Sequence, residues 1–101
     1  MFPITTRLAG VQVDDAQENI KKFCCQDIPN YGLVREPGNT FDSNAVKVML
    51  GDLYLGYLPA LVAAKVAPHM DNGTHLIAEL IKINESPYHS TVGMTIKIVE
   101  V

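Results

Sequence analysis

At 101 residues the chain has the length of one domain, 1–101, and 48% hydrophobic residues are enough to build a core. With three Phe, four Tyr and no Trp, that core is expected to be aliphatic. Eight basic against eleven acidic side chains give a net charge of −3. That balance argues against sequence-blind coating of a nucleic-acid backbone, which needs a basic face, but leaves room for a small site that holds a strand end. The opening "MFPITTRLAG" lacks the basic and apolar regions of a secretion signal, and no apolar run approaches the ~20 residues that span a bilayer. The chain therefore reads as soluble and cytoplasmic, with no membrane partner.

Residues 4–13, "ITTRLAGVQV", alternate and are β-branched, predicting a first strand with a bend or bulge at Gly10. A helix follows over about 15–23, where Asp14 with Gln17 reads as a capping box and the lysines fall in the last turn. Cys24 and Cys25 are adjacent, which suits neither a loop-closing disulfide nor zinc spacing, so both are expected to be reduced thiols. His69, His75 and His89 add no evident ligand set, and no metal or cofactor is expected.

"YGLVRE" predicts a second strand and "NAVKVML" a third, with Val46, Val48 and Leu50 on one face and Lys47 on the other. The Gly51–Asp52 pair signals a hairpin turn into "LYLGYL". Pro59 suits the first position of a second helix that stops at Asn72–Gly73, with Pro68 expected to kink or shorten its last turn. "THLIAELIKI" and "GMTIKIVEV" then pair across a polar loop, "NESPYHSTV". Six strands and two short helices give a mainly β, α+β class. Strands in such a small domain must close or cover their edges, so a six-stranded, partly open β-barrel is expected.

The loop between the second and third strands, "REPGNTFDSN", carries unusual chemistry. Asn39 and Asp42 can accept hydrogen bonds from amides two residues on, and Gly38 can supply positive φ, so 38–44 reads as a well-made turn. A turn has no need of Phe41. Its ring is either folded into the core or presented as a platform on which a base stacks for ~1–3 kcal/mol. Tyr57 in "GYLP" stands at a strand–helix junction, either packed against the helix or lining a groove shared with that loop. Arg35 and Glu36 read as a structural ion pair or backbone tether. Lys47, Lys82 and Lys97 read as outward lysines, a modest basic stripe only if they are neighbours. Ser43, Ser86 and Ser90 lack a nucleophile-elbow setting, and no glycine-rich phosphate loop occurs. Nothing invites an enzyme reading.

Taken in order, "LVREPGNTFDSNAVKV", "LGYLP" and "AAKVAPHMDNG" resemble the HIRAN domain. This small module stands at the front of some SWI/SNF-type helicase-like proteins and alone in bacteria and phages. The resemblance runs from about Ile4 to Val99. It implies an OB-like barrel that captures the 3′ end of single-stranded DNA in DNA repair or replication-fork processing. An aromatic in this loop would stack on the terminal base and the following acid would accept a hydrogen bond from the 3′ hydroxyl. Those roles fall on Phe41 and Asp42, with Asn39 and Tyr57 at further groove positions. The DNA-binding members carry a basic residue and then an aromatic after the first-strand glycine, where this chain has Gln12 and Val13. The position after "GYLP", often basic in the family, is Ala60. These departures argue against tight DNA binding and keep open a second reading, a protein-interaction module that has lost the DNA ligand.

Overall fold

The computed structural model describes residues 1–101. In chain order the elements are β1 (Ile4–Arg7), α1 (Ala16–Phe23), β2 (Gly32–Arg35), β3 (Val46–Leu50), β4 (Leu53–Tyr57), α2 (Ala60–Asp71), β5 (Leu76–Ser86) and β6 (His89–Glu100). Six strands and two helices form as expected, but not as one continuous barrel. They make two three-stranded antiparallel sheets, β1-β6-β5 and β2-β3-β4. Only single-residue bridges join them, Ala9 to Tyr57 at one edge and Tyr31 to Ala78 at the other. The reason is local: β1 and β2 are four residues each, and Gly10 at φ +66° turns the chain off the ladder directly after Ala9.

The core is aliphatic except for Tyr31 and comes chiefly from the alternation of the strands. Val46 and Val48 of β3, Leu76, Ala78 and Leu80 of β5, and Met94, Ile96 and Ile98 of β6 all turn inward. Ala63, Val66 and Ala67 of α2, Ala16 and Ile20 of α1, and Leu8, Tyr31, Ala45, Leu55, Leu58 and Val92 complete the buried hydrophobic set. Asn19 is buried but not orphaned, since its Nδ2 donates to the Tyr54 carbonyl at 2.9 Å. No helix is long and apolar enough to cross a membrane.

Three local expectations need correction. Gln17 does not close a capping box, because helix α1 starts from Asp15, which makes no side-chain cap. Instead Gln17 donates to the carbonyls of Val11 and Val92 at 2.7 and 2.8 Å and accepts from the Val92 amide at 2.8 Å, stapling the β1–α1 turn to β6. The polar stretch 84–92 is no open loop. Both strands continue through it to a tight turn at Pro87–Tyr88, because a hairpin with one face in water accepts polar residues. Helix α2 is not shortened at Pro68 but runs on to Asp71, where the proline costs it one helical hydrogen bond.

A bulge in β4 sets the direction of two tyrosines. Val48 pairs with Gly56 and Met49 with Tyr54, which leaves Leu55 as an extra residue. The extra residue restores Tyr54 and Tyr57 to one face, where their rings stand 5.6 Å apart and tilted. Gly56 beneath them tolerates no side chain, since a Cβ there would lie 2.7 Å from the Ala9 carbonyl oxygen.

A candidate nucleic-acid interface at the 38–44 loop

The loop between β2 and β3 is closed at its base by the Glu36 amide donating to the Ala45 carbonyl at 2.9 Å. Above that base it is built by side chains, as its Asn and Asp content predicts. Asn39 Oδ1 accepts from the amides of Phe41 and Asp42 at 2.9 and 3.0 Å, and Asp42 Oδ1 accepts from the Asn44 amide at 2.9 Å. Gly38 is not at positive φ and supplies only open space. The turn is well made and also presents Phe41. The ring is 97% exposed, forgoing the roughly 1.5–3 kcal/mol that burying such a side chain gives.

Glu36 is the hub of the site and was not visible as such in the sequence. Rather than pairing with Arg35, it receives hydrogen bonds at Oε1 from the Tyr57 hydroxyl (2.7 Å) and Asn39 Nδ2 (3.0 Å), and its Oε2 pairs with Lys47 at 2.8 Å. Lys47 first, then Asn39 and Tyr57, hold the carboxyl down to about 2 from an ordinary 4.5. Burial, and then the bond to Glu36, push the Tyr57 hydroxyl up to about 12. At neutral pH Tyr57 is therefore protonated and its hydroxyl donates a hydrogen bond to Glu36, leaving the ring as what it offers the surface. The signal for this hub was the register, Lys47 directly opposite Tyr57, which a single sequence does not print.

Arg35 goes elsewhere. Its Nε and Nη2 donate to the two Asp71 oxygens at 2.9 and 3.1 Å, and its Nη1 donates to the Ala45 carbonyl at 2.9 Å. It thus ties the end of α2 to the base of the loop. Of the three mid-strand lysines, Lys47 serves Glu36 and Lys97 lies 3.7 Å from Glu79, leaving Lys82 alone without a partner. The three form no common stripe.

The four residues singled out in the sequence meet at one place. Asn39, Phe41, Asp42 and Tyr57, with Ala45, Leu58 and Ala60, line a cleft of about 270 Å³. Asp42 is half-buried there, and no protein donor reaches its Oδ2. The cleft has an aromatic ring at its mouth, a second ring in its wall and a carboxylate oxygen available to a donor. Ala60 belongs to the lining, so the cleft is apolar where a basic residue would have brought a cation.

The HIRAN domain model matches residues 25–100, which include the whole loop and both walls of the cleft. The chain belongs to the HIRAN domain family. Among solved structures, this HIRAN domain is similar to a protein from Lactobacillus plantarum, with 25% identity over 95% of this chain and 93% of that one and a TM-score of 0.72. It is also similar in fold to the HIRAN domain of human HLTF, with 18% identity over 97% of this chain and 74% of that one and a TM-score of 0.64. No curated protein matches it.

Proposed function

We propose that this HIRAN domain is a non-catalytic DNA-binding module that recognises the 3′ end of single-stranded DNA, in the setting of repair or replication-fork processing, on a barrel-like OB arrangement of its strands. The observation that carries the proposal is Phe41, almost wholly exposed on a loop that four hydrogen bonds hold rigid, next to a carboxylate with one oxygen unclaimed. A base stacks on the ring without regard to sequence. A terminal hydroxyl donates to Asp42, whereas a phosphate at the same place meets a like charge. Together the pair favours an end over an internal position, and it does so in a protein of net charge −3.

Fluorescence anisotropy with oligonucleotides ending in a 3′ hydroxyl or a 3′ phosphate tests this. The hydroxyl end binds more tightly, and Asp42→Asn, which keeps an acceptor for the Asn44 amide, narrows the gap. Equal binding of both ends, unchanged by the substitution, refutes it. One observation supports the second reading, a protein-interaction module. Leu61, next to Ala60 of the cleft lining, is 82% exposed, and Val13 is also exposed. Recovery of a protein partner that Leu61→Asp abolishes, together with no DNA binding at low salt, would favour it.

A further inference from the structure

A second, larger cleft lies on the other side of the β1–α1 turn. It measures about 450 Å³ and is lined mostly by polar residues, Arg7, Gln12, Lys82, Asn84, Glu85 and His89 among them, against Val11 and Val92. The register explains the convergence. Arg7 of β1 and Lys82 of β5 are both paired with Thr95 of β6, so their side chains flank it on the outer face, about 10 Å apart at the backbone (two strand spacings). Gly93 makes room for the Arg7 guanidinium beside Asn84, because a Cβ there would stand 2.8 Å from Arg7 Nη2 and 3.6 Å from Asn84. Gln17 fixes the wall by its three hydrogen bonds to Val11 and Val92, both lining residues.

The charge pattern gives this cleft its meaning. Of eight basic side chains, Lys22, Arg35, Lys47 and Lys97 are committed to ion pairs. Arg7, Lys21, Lys65 and Lys82 remain. Arg7 and Lys82 line this cleft, and Lys21 lines its continuation past Glu85, Ser86 and His89. Three of the four uncommitted cations of an acidic protein thus gather on one face, against the single carboxylate of Glu85. The turn that bounds the cleft also touches the aromatic site: Ala9 exchanges two 2.8 Å hydrogen bonds with Tyr57, and a Cβ on Gly10 would meet the Tyr57 ring at 3.5 Å.

We infer that the Arg7–Lys82 cleft is a phosphodiester-binding site for the same DNA strand, holding backbone phosphates upstream of the end that Phe41 and Asp42 read. The inference rests on the proposed end-reading function. It supplies from the β1-β6-β5 face the cations that Gln12 and Ala60 do not. Arg7 offers a planar fork and Lys82 a point charge, both suited to phosphate oxygens.

The test is a salt titration of binding by anisotropy, with oligothymidylates of about three and about twelve nucleotides bearing a 3′ hydroxyl. For the longer strand, Arg7→Ala with Lys82→Ala lowers the slope of log affinity against log salt by about 1.4, about 0.7 per phosphate contact on single-stranded DNA. The shorter strand has only about two phosphodiesters to place behind its end, and its slope changes by less than that of the longer strand. The 3′-hydroxyl preference survives in the double variant. An unchanged slope for the longer strand, with that preference intact, overturns this inference alone. A slope that falls as stated, with no end preference in the wild type, overturns the end reader and leaves a phosphate site. Both exposed side chains are far from the core, and an unchanged thermal melt confirms that the double variant folds.

Discussion

At Phe41 the proposed function can be tested apart from stability. Its ring touches so little that Phe41→Ala is expected to leave the unfolding free energy within about 0.5 kcal/mol of wild type by denaturant titration. The same change is expected to weaken binding of single-stranded DNA by about 1–3 kcal/mol, the worth of one stacked base. A large loss of stability would mean that the ring packs rather than stacks. Glu36 makes the opposite case, a residue whose work is to hold others. Its carboxyl is held near 2 by Lys47, Asn39 and Tyr57, below the ordinary 4.5. A folded-state pKa below the unfolded one stabilises fully above about pH 4.5 and is lost as pH falls toward 2. Thermal melts of wild type and Glu36→Gln should therefore differ by a constant amount above pH 4.5, and the difference should shrink as pH drops toward 2.

At the scale of elements, the strand–helix junction at Tyr57 depends on Gly56. A side chain there would press on the Ala9 carbonyl and on Leu8, at 2.7 and 3.2 Å, and would separate the bridge that joins the sheets at this edge. Gly56→Ala is expected to cost about 1–3 kcal/mol by denaturant unfolding, as overpacking in a close-fitting site does. Hydrogen exchange at the Ala9 and Tyr57 amides should rise more than at Tyr31 and Ala78, the bridge at the far edge. Most elements were legible because periodicity and turn chemistry agree: Val46 and Val48 alternate into the core, Gly51–Asp52 turns the hairpin, and α2 ends at Asn72. The misread stretches share a physical cause. Gln17 is drawn away from the helix terminus by β6, 75 residues along, and a tertiary partner of that kind leaves no local trace. Likewise, 84–92 read as a loop because a solvent-facing hairpin carries the same polar residues as a loop.

For the molecule as a whole, the candidate site was legible where its residues are close in sequence, and not where the fold brings them together. Asn39, Phe41 and Asp42 stood out because a turn explains two of them and not the third. Glu36 as hub, the reach of Arg35 to Asp71, and the gathering of Arg7, Lys21 and Lys82 depend on register and sheet packing, so composition showed only a net charge of −3. Under the proposed function the two clefts would form one path, a ring and an acid for the strand end and cations for the backbone behind it. The most direct measurement is a cycle between Asp42→Ala and removal of the terminal hydroxyl, using strands with 3′-hydroxyl and 3′-deoxy ends. Damage to the turn from losing the Asn44 contact affects both strands and cancels. A coupling of about 1.5–3 kcal/mol is predicted, the worth of a hydrogen bond to a charged group. A coupling of zero would refute the end reader.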